Sequence, residues 1–437
     1  MTSSQRSTSD SMQLARLILA SPRLSAAITT CSIGSAVFSF ALHRLFGWPG
    51  YIAILCGLLI LAIGSLAAQW KEIGWSGLLP ISLLGFVGWT CVSLFWSAYH
   101  WASLASIAYL LTFAVLGVYV GLARDTIQVV RAFGDVLRFA LALSISVEIF
   151  SGLVIDTPIR LLGITERIAY LGPITGLMNT TDQFGLVALV ALITFSIELL
   201  TRSVSRSFSV GSLILAAASL LLTHAPLAIG AALVVAAAAG VLAGLRRAPD
   251  RARRVLQVGV LALAAALAIL AWVFRTPIVT TFNATGALTY RLRVWHQVWA
   301  LTQTRFLQGW GWVGAWPKAV SPFSSLTQAD GSLPGSALNG YLDVWFQLGF
   351  VGFAIFLGFF GLAFVRSWLL ASRKRSVVFA WPSLVLVALI VGSLAESFVL
   401  VEFGWLTLVV CSVKASRELS WRGAFEEITT PTPPRAN

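Results

Sequence analysis

The chain has 437 residues, 58% hydrophobic and 11% charged, where a soluble domain carries about 25% charged residues. So much apolar surface, running almost end to end, excludes a water-soluble fold and indicates one membrane domain. The net charge of +13 lies in short clusters between apolar runs, which argues against a nucleic-acid surface and fits membrane topology.

Residues 1–22 begin MTSSQRSTSDSMQ. They are polar, rich in Ser and Thr, and expected to form a disordered cytoplasmic tail. Residues 23–422 read as the membrane domain. A bilayer core needs about 20 apolar residues per helix. Spans are predicted at 25–43, 49–68, 77–97, 101–123, 132–154, 183–201, 207–223, 226–245, 255–274, 342–365, 379–396 and 399–414. The expected fold is all-α: a polytopic integral membrane protein of about twelve transmembrane helices. A large extracytoplasmic loop, 275–341, precedes the last three. Residues 423–437 are a Thr/Pro-rich tail, expected to be disordered and cytoplasmic.

With the N-terminus inside, the inner segments hold 21 Lys/Arg and the outer segments 8, with Arg138 inside a span. This bias places both termini in the cytoplasm and the protein in the inner membrane. The outer segments 155–182 and 275–341 are long, and long loops in compact domains are usually functional. Cys31, Cys56, Cys91 and Cys411 lie in or beside apolar runs without CxxC spacing. They read as small buried residues.

The chain lacks GxxxxGK[ST], GxGxxG after a strand, HExxH and GxSxG. No metal, cofactor or nucleic-acid partner is expected. Arg291 and Arg293 open a helix-like aromatic stretch of the outer loop. Guanidiniums at a membrane surface suit phosphate through planar paired donors; headgroup anchoring is the plain alternative. Trp310 and Trp312 alternate with Gly309 and Gly311, a pattern suited to interface anchoring or to sugar stacking. Glu148 shares a span with Arg138, and their ten-residue separation, about 15 Å, is too long for a direct pair. Glu148 is a candidate cavity-lining group, whereas Arg138 is expected to snorkel inward. Glu396 and Glu402 read as the rim of a short hairpin, with replacement of a missing base as the alternative. Asp343 reads as a helix-start carboxylate.

The stretch from Thr289 onward resembles the O-antigen ligase and polymerase family of bacterial membrane glycosyltransferases. Members show Thr-Gly-Arg-x-x-x-Trp, then Gly-x-Gly, His-Asn and a helix with Gly-x-x-Gly. Here stand Thr289-Tyr290-Arg291, Trp295, Gly309 with Gly311, Asn339, and Gly349 with Gly352. Gly176 and Asn179 resemble an earlier Gly-x-x-x-Asn segment. The resemblance implies metal-independent transfer of glycan from a polyprenyl-pyrophosphate carrier to an acceptor glycan or lipid outside the cytoplasmic membrane. It makes Arg291 the catalytic phosphate-binding arginine. Arg293, Asn339, Asn179, Trp295, Trp310 and Glu148 are the candidate substrate-binding residues.

The sequence departs from this pattern twice. Leu338 stands at the family histidine position and can neither take nor donate a proton. A middle-span arginine is also missing, and the matching stretch is Leu222-Thr223-His224-Ala225-Pro226. His224 is therefore the second catalytic candidate, with a headgroup-level histidine as its plain alternative. The departures keep two other readings open: a non-enzymatic membrane partner of polysaccharide assembly, and a lipid-linked sugar transporter.

Overall fold

The computed structural model describes residues 16–70, 80–165, 167–178, 180–249, 255, 259, 285–317, 320–326 and 333–418. Most of the predicted span at 255–274, residues 1–15 and 419–437 of the tails, and Asn179 lie outside the described residues. The α-helices are α1 (Pro22–Val37), α2 (Ser39–Ala68), α3 (Ile81–Val92), α4 (His100–Ala123), α5 (Thr126–Ile149), α6 (Thr181–Thr201) and α7 (Arg206–Leu222). They continue as α8 (Pro226–Arg247), α9 (Thr285–Thr304), α10 (Gly340–Arg373), α11 (Ala380–Gly392) and α12 (Glu402–Glu418). The described residues contain no β-strand.

Six of these helices are long and apolar enough to cross a membrane: α2, α4, α5 with its π-helical extension to Ile155, α6, α8 and α10. Helices α3, α7 and α11 are apolar but shorter. Large apolar side chains such as Ile60, Ile81, Ile214, Leu221 and Leu233 face outward, as lipid solvation permits. Inside, Ser25, Thr29, Ser32, Thr194 and Ser219 are buried. Thr29, Thr194 and Ser219 donate to a carbonyl one turn back, so these hydroxyls bring little desolvation cost. The chain is a polytopic, all-helical membrane protein.

Helix α6 is central, with 72% of its apolar window buried against 22% for α2 and α8. It packs on α5, α7, α8 and α11. Helices α4 and α12 approach closely because Gly117 and Gly121 sit one turn apart. A Cβ at Gly117 would stand 3.0 Å from Val409, the close small-residue packing typical of membrane helices. The predicted break between the first two spans is a kink inside α2 at Gly47 (φ 69°, ψ 174°), just before Pro49.

One end of the bundle is held by basic side chains donating to carbonyls at or just past helix C-termini. Arg417 reaches Leu122 O at 2.8 Å, Arg131 reaches Ser203 O at 2.6 Å, and Arg246 reaches Lys374 O at 3.0 Å. Lys414 reaches Arg124 O. Cations there satisfy orphan carbonyls and complement the helix dipole. Much of the clustered charge thus has a structural use.

Arg138 does not snorkel. It is 8% exposed and pairs with Glu198 of α6 and Asp135 of its own helix, while its Nε donates to Ser212 of α7 at 2.9 Å. Its ring neighbours are Phe195 and Phe208, each 4.9 Å away. Gly134 leaves the space that the Glu198 carboxylate occupies. Of the cysteines expected to be buried, Cys411 is buried and Cys91 partly so, while Cys31 and Cys56 are exposed.

The most unusual feature is a break in α10. Gly349 adopts φ 68° and ψ −176°, a region essentially confined to glycine. The segment after α9 crosses the helix there. Trp310 N donates to Phe346 O at 3.1 Å and Gly311 N to Gln347 O at 2.8 Å. In return, Phe350 N donates to Phe306 O at 2.8 Å. Trp89 Nε1 takes Leu348 O at 3.0 Å. Backbone groups freed by the break are thus re-paired, as a low-dielectric setting requires. Gln347 extends the seam, its Oε1 accepting from Val313 N at 2.8 Å and Gly314 N at 3.0 Å.

Candidate active site around Arg291

Helix α9 lies against α10 with Val294, Val298 and Thr302 buried. Arg291 shares that face, being three and seven residues before the valines. Arg293 lies about 200° round the helix from Arg291 and is exposed. The two guanidiniums anticipated as a pair therefore point apart, and the site is built on Arg291 alone.

Arg291 reaches two elements distant in sequence. Its Nη2 donates to Asp182 Oδ2 at 2.7 Å and to Glu396 Oε1 at 3.0 Å, and its Nε donates to Ala395 O at 3.1 Å. The three side chains are 15%, 19% and 12% exposed, so water screens the cluster only in part. Asp182 sits in the first turn of α6, where Thr180 Oγ1 caps the helix by accepting from Gln183 N at 3.2 Å. Glu396 lies in the turn between α11 and α12. Burial pulls the guanidinium pKa down, but attraction to both carboxylates outweighs it, leaving Arg291 above its ordinary value. Burial first, and then repulsion from Asp182, pushes Glu396 up to about 7 against the pull of Arg291.

Asn339 ties this turn to α10. Its Oδ1 accepts from Tyr341 N at 3.0 Å and Leu342 N at 3.1 Å, capping the helix, while its Nδ2 donates to Leu394 O at 3.1 Å. Gly340 N donates to Ser393 O at 2.8 Å and to Glu396 O at 3.2 Å. Leu338 immediately precedes this junction at φ 50°. The N-termini of α6 and α10 thus meet Arg291 through Asp182, Asn339 and the Glu396 turn, bringing two positive dipole ends and one guanidinium together. That combination suits a phosphate.

The remaining expected residues divide between the site and its supports. Glu148 is fully buried, and its Oε1 accepts from Thr175 N at 3.1 Å and Gly176 N at 2.9 Å. Through Oε1 it clamps the loop leading into α6, while Oε2 is buried with no hydrogen-bond partner among the described residues. Trp295 Nε1 donates to Ala337 O at 3.0 Å, positioning the segment before Leu338. Trp310 Nε1 donates to Leu301 O at 3.3 Å, with Arg305 stacked 4.3 Å from its ring, so it is part of the crossing loop. Trp312 is 1% exposed and packs on Phe86, which rules out membrane-surface anchoring for it. Asp343 does more than start a helix: Trp316 Nε1 and Gln347 Nε2 donate to its Oδ1 at 2.9 Å and 2.8 Å.

His224 is exposed at φ 50° in the turn between α7 and α8. That turn packs beside the start of α6, where a Cβ on Gly185 would lie 3.4 Å from Thr223 Oγ1. The His224 ring makes none of the bonds around Arg291. The sequence does not signal Asp182 as a partner at all, and Glu396 reads there as a hairpin rim. Among the described residues no group of three His, Cys, Asp or Glu side chains is placed to hold a metal ion.

Residues 211–357 match the family model described as O-antigen ligase. The match spans Arg291, the crossing loop, Asn339 and the break in α10, whereas Asp182 and Glu396 fall outside it. No curated protein matches the chain. The chain is therefore a multi-pass, all-helical membrane protein that is similar, over residues 211–357, to the O-antigen ligase family.

Proposed function

We propose that this protein transfers or polymerises glycan carried on a polyprenyl pyrophosphate, at the outer face of the bacterial inner membrane. The chain crosses the membrane about twelve times with both termini cytoplasmic. The end bearing the basic caps faces the cytoplasm and the Arg291 cluster faces outward. The observation that carries this reading is Arg291 itself, a partly buried guanidinium inside the matched domain, held by Asp182 at the start of α6 and by the Glu396 turn.

In the reaction the acceptor hydroxyl oxygen bonds to the anomeric carbon of the donor sugar. The bond from that carbon to the pyrophosphate breaks, and its electron pair stays on the leaving phosphate. Arg291 stabilises the charge that gathers there. Its Nε and Nη2 are engaged, while Nη1 makes no hydrogen bond to a described residue and is the donor assigned to the leaving phosphate. A fixed cation acting on developing charge is worth about 100- to 1000-fold in rate.

Arg291→Ala is expected to leave the protein in the membrane, lower polymer output by about that factor and cause lipid-linked glycan to accumulate. Arg291→Lys, which lacks the planar fork, recovers only part of the output. Normal polymer output in Arg291→Ala would sink the proposal. The rival reading, a non-enzymatic partner of polysaccharide assembly, draws on Leu338 and on the two carboxylates already facing Arg291. Turnover of lipid-linked donor by the purified protein excludes it.

A further inference from the structure

We propose that Asp182 and Glu396 act as one proton-accepting pair, taking the proton of the acceptor hydroxyl while Arg291 holds the pyrophosphate. This inference rests on the glycan-transfer reading and identifies the base that the reading leaves open.

Two carboxylate oxygens contact the same Nη2 at 2.7 Å and 3.0 Å, so they lie within a few ångströms of each other. Ionised together, they place two negative charges against one guanidinium in a partly buried setting. Like charges that close together oppose double ionisation, so such a pair tends to hold one proton near neutrality. Burial and Asp182 bring Glu396 to about 7, the range in which a general base is ionised yet still basic enough to work.

The other polar groups at this end are committed elsewhere or set apart. Asp343 is locked by Trp316 and Gln347. Tyr341 donates to Ile390 O at 3.1 Å. Glu148 clamps the loop before α6. His224 is exposed on the α7–α8 turn, and Leu338 cannot accept a proton. Among the described residues, the charged groups bonded to Glu396 are Asp182 from α6 and Arg291 from α9. Helix α10 contributes the uncharged Asn339 and Gly340 to its turn, and its Asp343 carboxyl faces the neighbouring Ser397. The contact of Asn339 and Gly340 places position 338 beside the Glu396 turn.

The step balances with no further reactant. The hydroxyl oxygen bonds to the anomeric carbon and releases its proton to the ionised carboxylate of the pair. The pyrophosphate leaves with the bonding electrons, and the pair returns its proton to water once product departs.

The test uses full-length protein in lipid nanodiscs, with lipid-linked glycan extracted from the Arg291→Ala strain as donor. Calorimetry with inorganic pyrophosphate reads the binding site separately. Wild-type turnover is expected to rise as pH increases through about 7. Glu396→Gln should lose about 100- to 10,000-fold in turnover while still binding pyrophosphate. Asp182→Asn should move the acidic limb to lower pH, because a neutral neighbour favours ionisation of Glu396. Leu338→His, added to Glu396→Gln, should recover part of the turnover by placing an imidazole beside the turn. Wild-type turnover with an unshifted pH limb in Glu396→Gln would overturn the pair. So would loss of pyrophosphate binding in that variant, which would make Glu396 only a scaffold for Arg291. Absence of any donor turnover by the wild-type protein would instead remove the glycan-transfer reading itself.

Discussion

Replacing Gly349 by alanine tests whether the chain crossing at α10 depends on glycine. At φ 68° and ψ −176° an L-residue carries strain of about 1–3 kcal/mol. Its Cβ would also overlap the Leu307 carbonyl and Gln308 backbone, neither of which can swing aside as a flexible side chain would. Separating the two segments weakens the four backbone hydrogen bonds linking Phe306, Leu307, Trp310 and Gly311 to Phe346, Gln347, Phe350 and Val351. At about 1 kcal/mol net for each bond, and with only part of them lost, the total destabilisation is about 3–5 kcal/mol. Gly358 in the same helix is the control, since a Cβ there meets nothing within 4 Å. Alanine at Gly358 should stabilise the helix by about 0.5–1 kcal/mol. Thermal unfolding of the purified protein in one detergent reads both variants. Gly349→Ala should melt well below wild type and lose transfer activity, because the crossing loop joins α9, with Arg291, to α10. Equal melting temperatures for the two variants would refute the reasoning, as would retention of hydrogen-exchange protection at 306–311 in Gly349→Ala.

Asn339→Ala removes the cap of α10 and the bond to Leu394 O, costing about 0.5–2 kcal/mol of stability and disabling transfer by freeing the Glu396 turn. Asn339→Asp keeps the cap but not that bond, so it should restore melting temperature and leave activity low; if it restores both, the turn does not depend on the amide. Gly134→Ala places a Cβ where the Glu198 carboxylate lies. Disturbing the Arg138 pair there should cost about 3–5 kcal/mol, measurable as a lower melting temperature, whereas an unchanged value would show that α5 and α6 can shift apart freely.

The helical, membrane-spanning nature of the chain is legible because a bilayer constrains composition directly. Each crossing requires an apolar run, and most predicted spans correspond to apolar helices in the structure. The first boundary was legible in part: the predicted gap at 44–48 holds the kink at Gly47 inside Ser39–Ala68, while the earlier helix end at Val37 carries no breaker residue. The two tryptophans of the Gly-Trp-Gly-Trp segment read as surface anchors, since tryptophan favours membrane interfaces. In the fold the glycines matter more: the backbone of Gly309 lies against Gly349, leaving no room for a side chain on either.

At the site, Arg291 and Arg293 together suited phosphate by residue type, and the family resemblance at Thr289–Trp295 singled out Arg291. Helix geometry separates the two. The partners of Arg291 were hidden for a different reason. Asp182 and Glu396 lie 109 and 105 residues away from it, one before and one after, with no local pattern connecting them. Their shared contact exists only because the start of α6 and the turn after α11 both meet α9 at Arg291. Arg138 was misread in the same way: its partner Glu198 is on the next helix, 60 residues on. The sequence by itself determined a many-helix membrane protein and its conspicuous arginine, since lipid solvation and the chemistry of a single side chain act locally. Only the tertiary structure decided which charges share a site, because pair energies depend on distance and burial, and packing sets both.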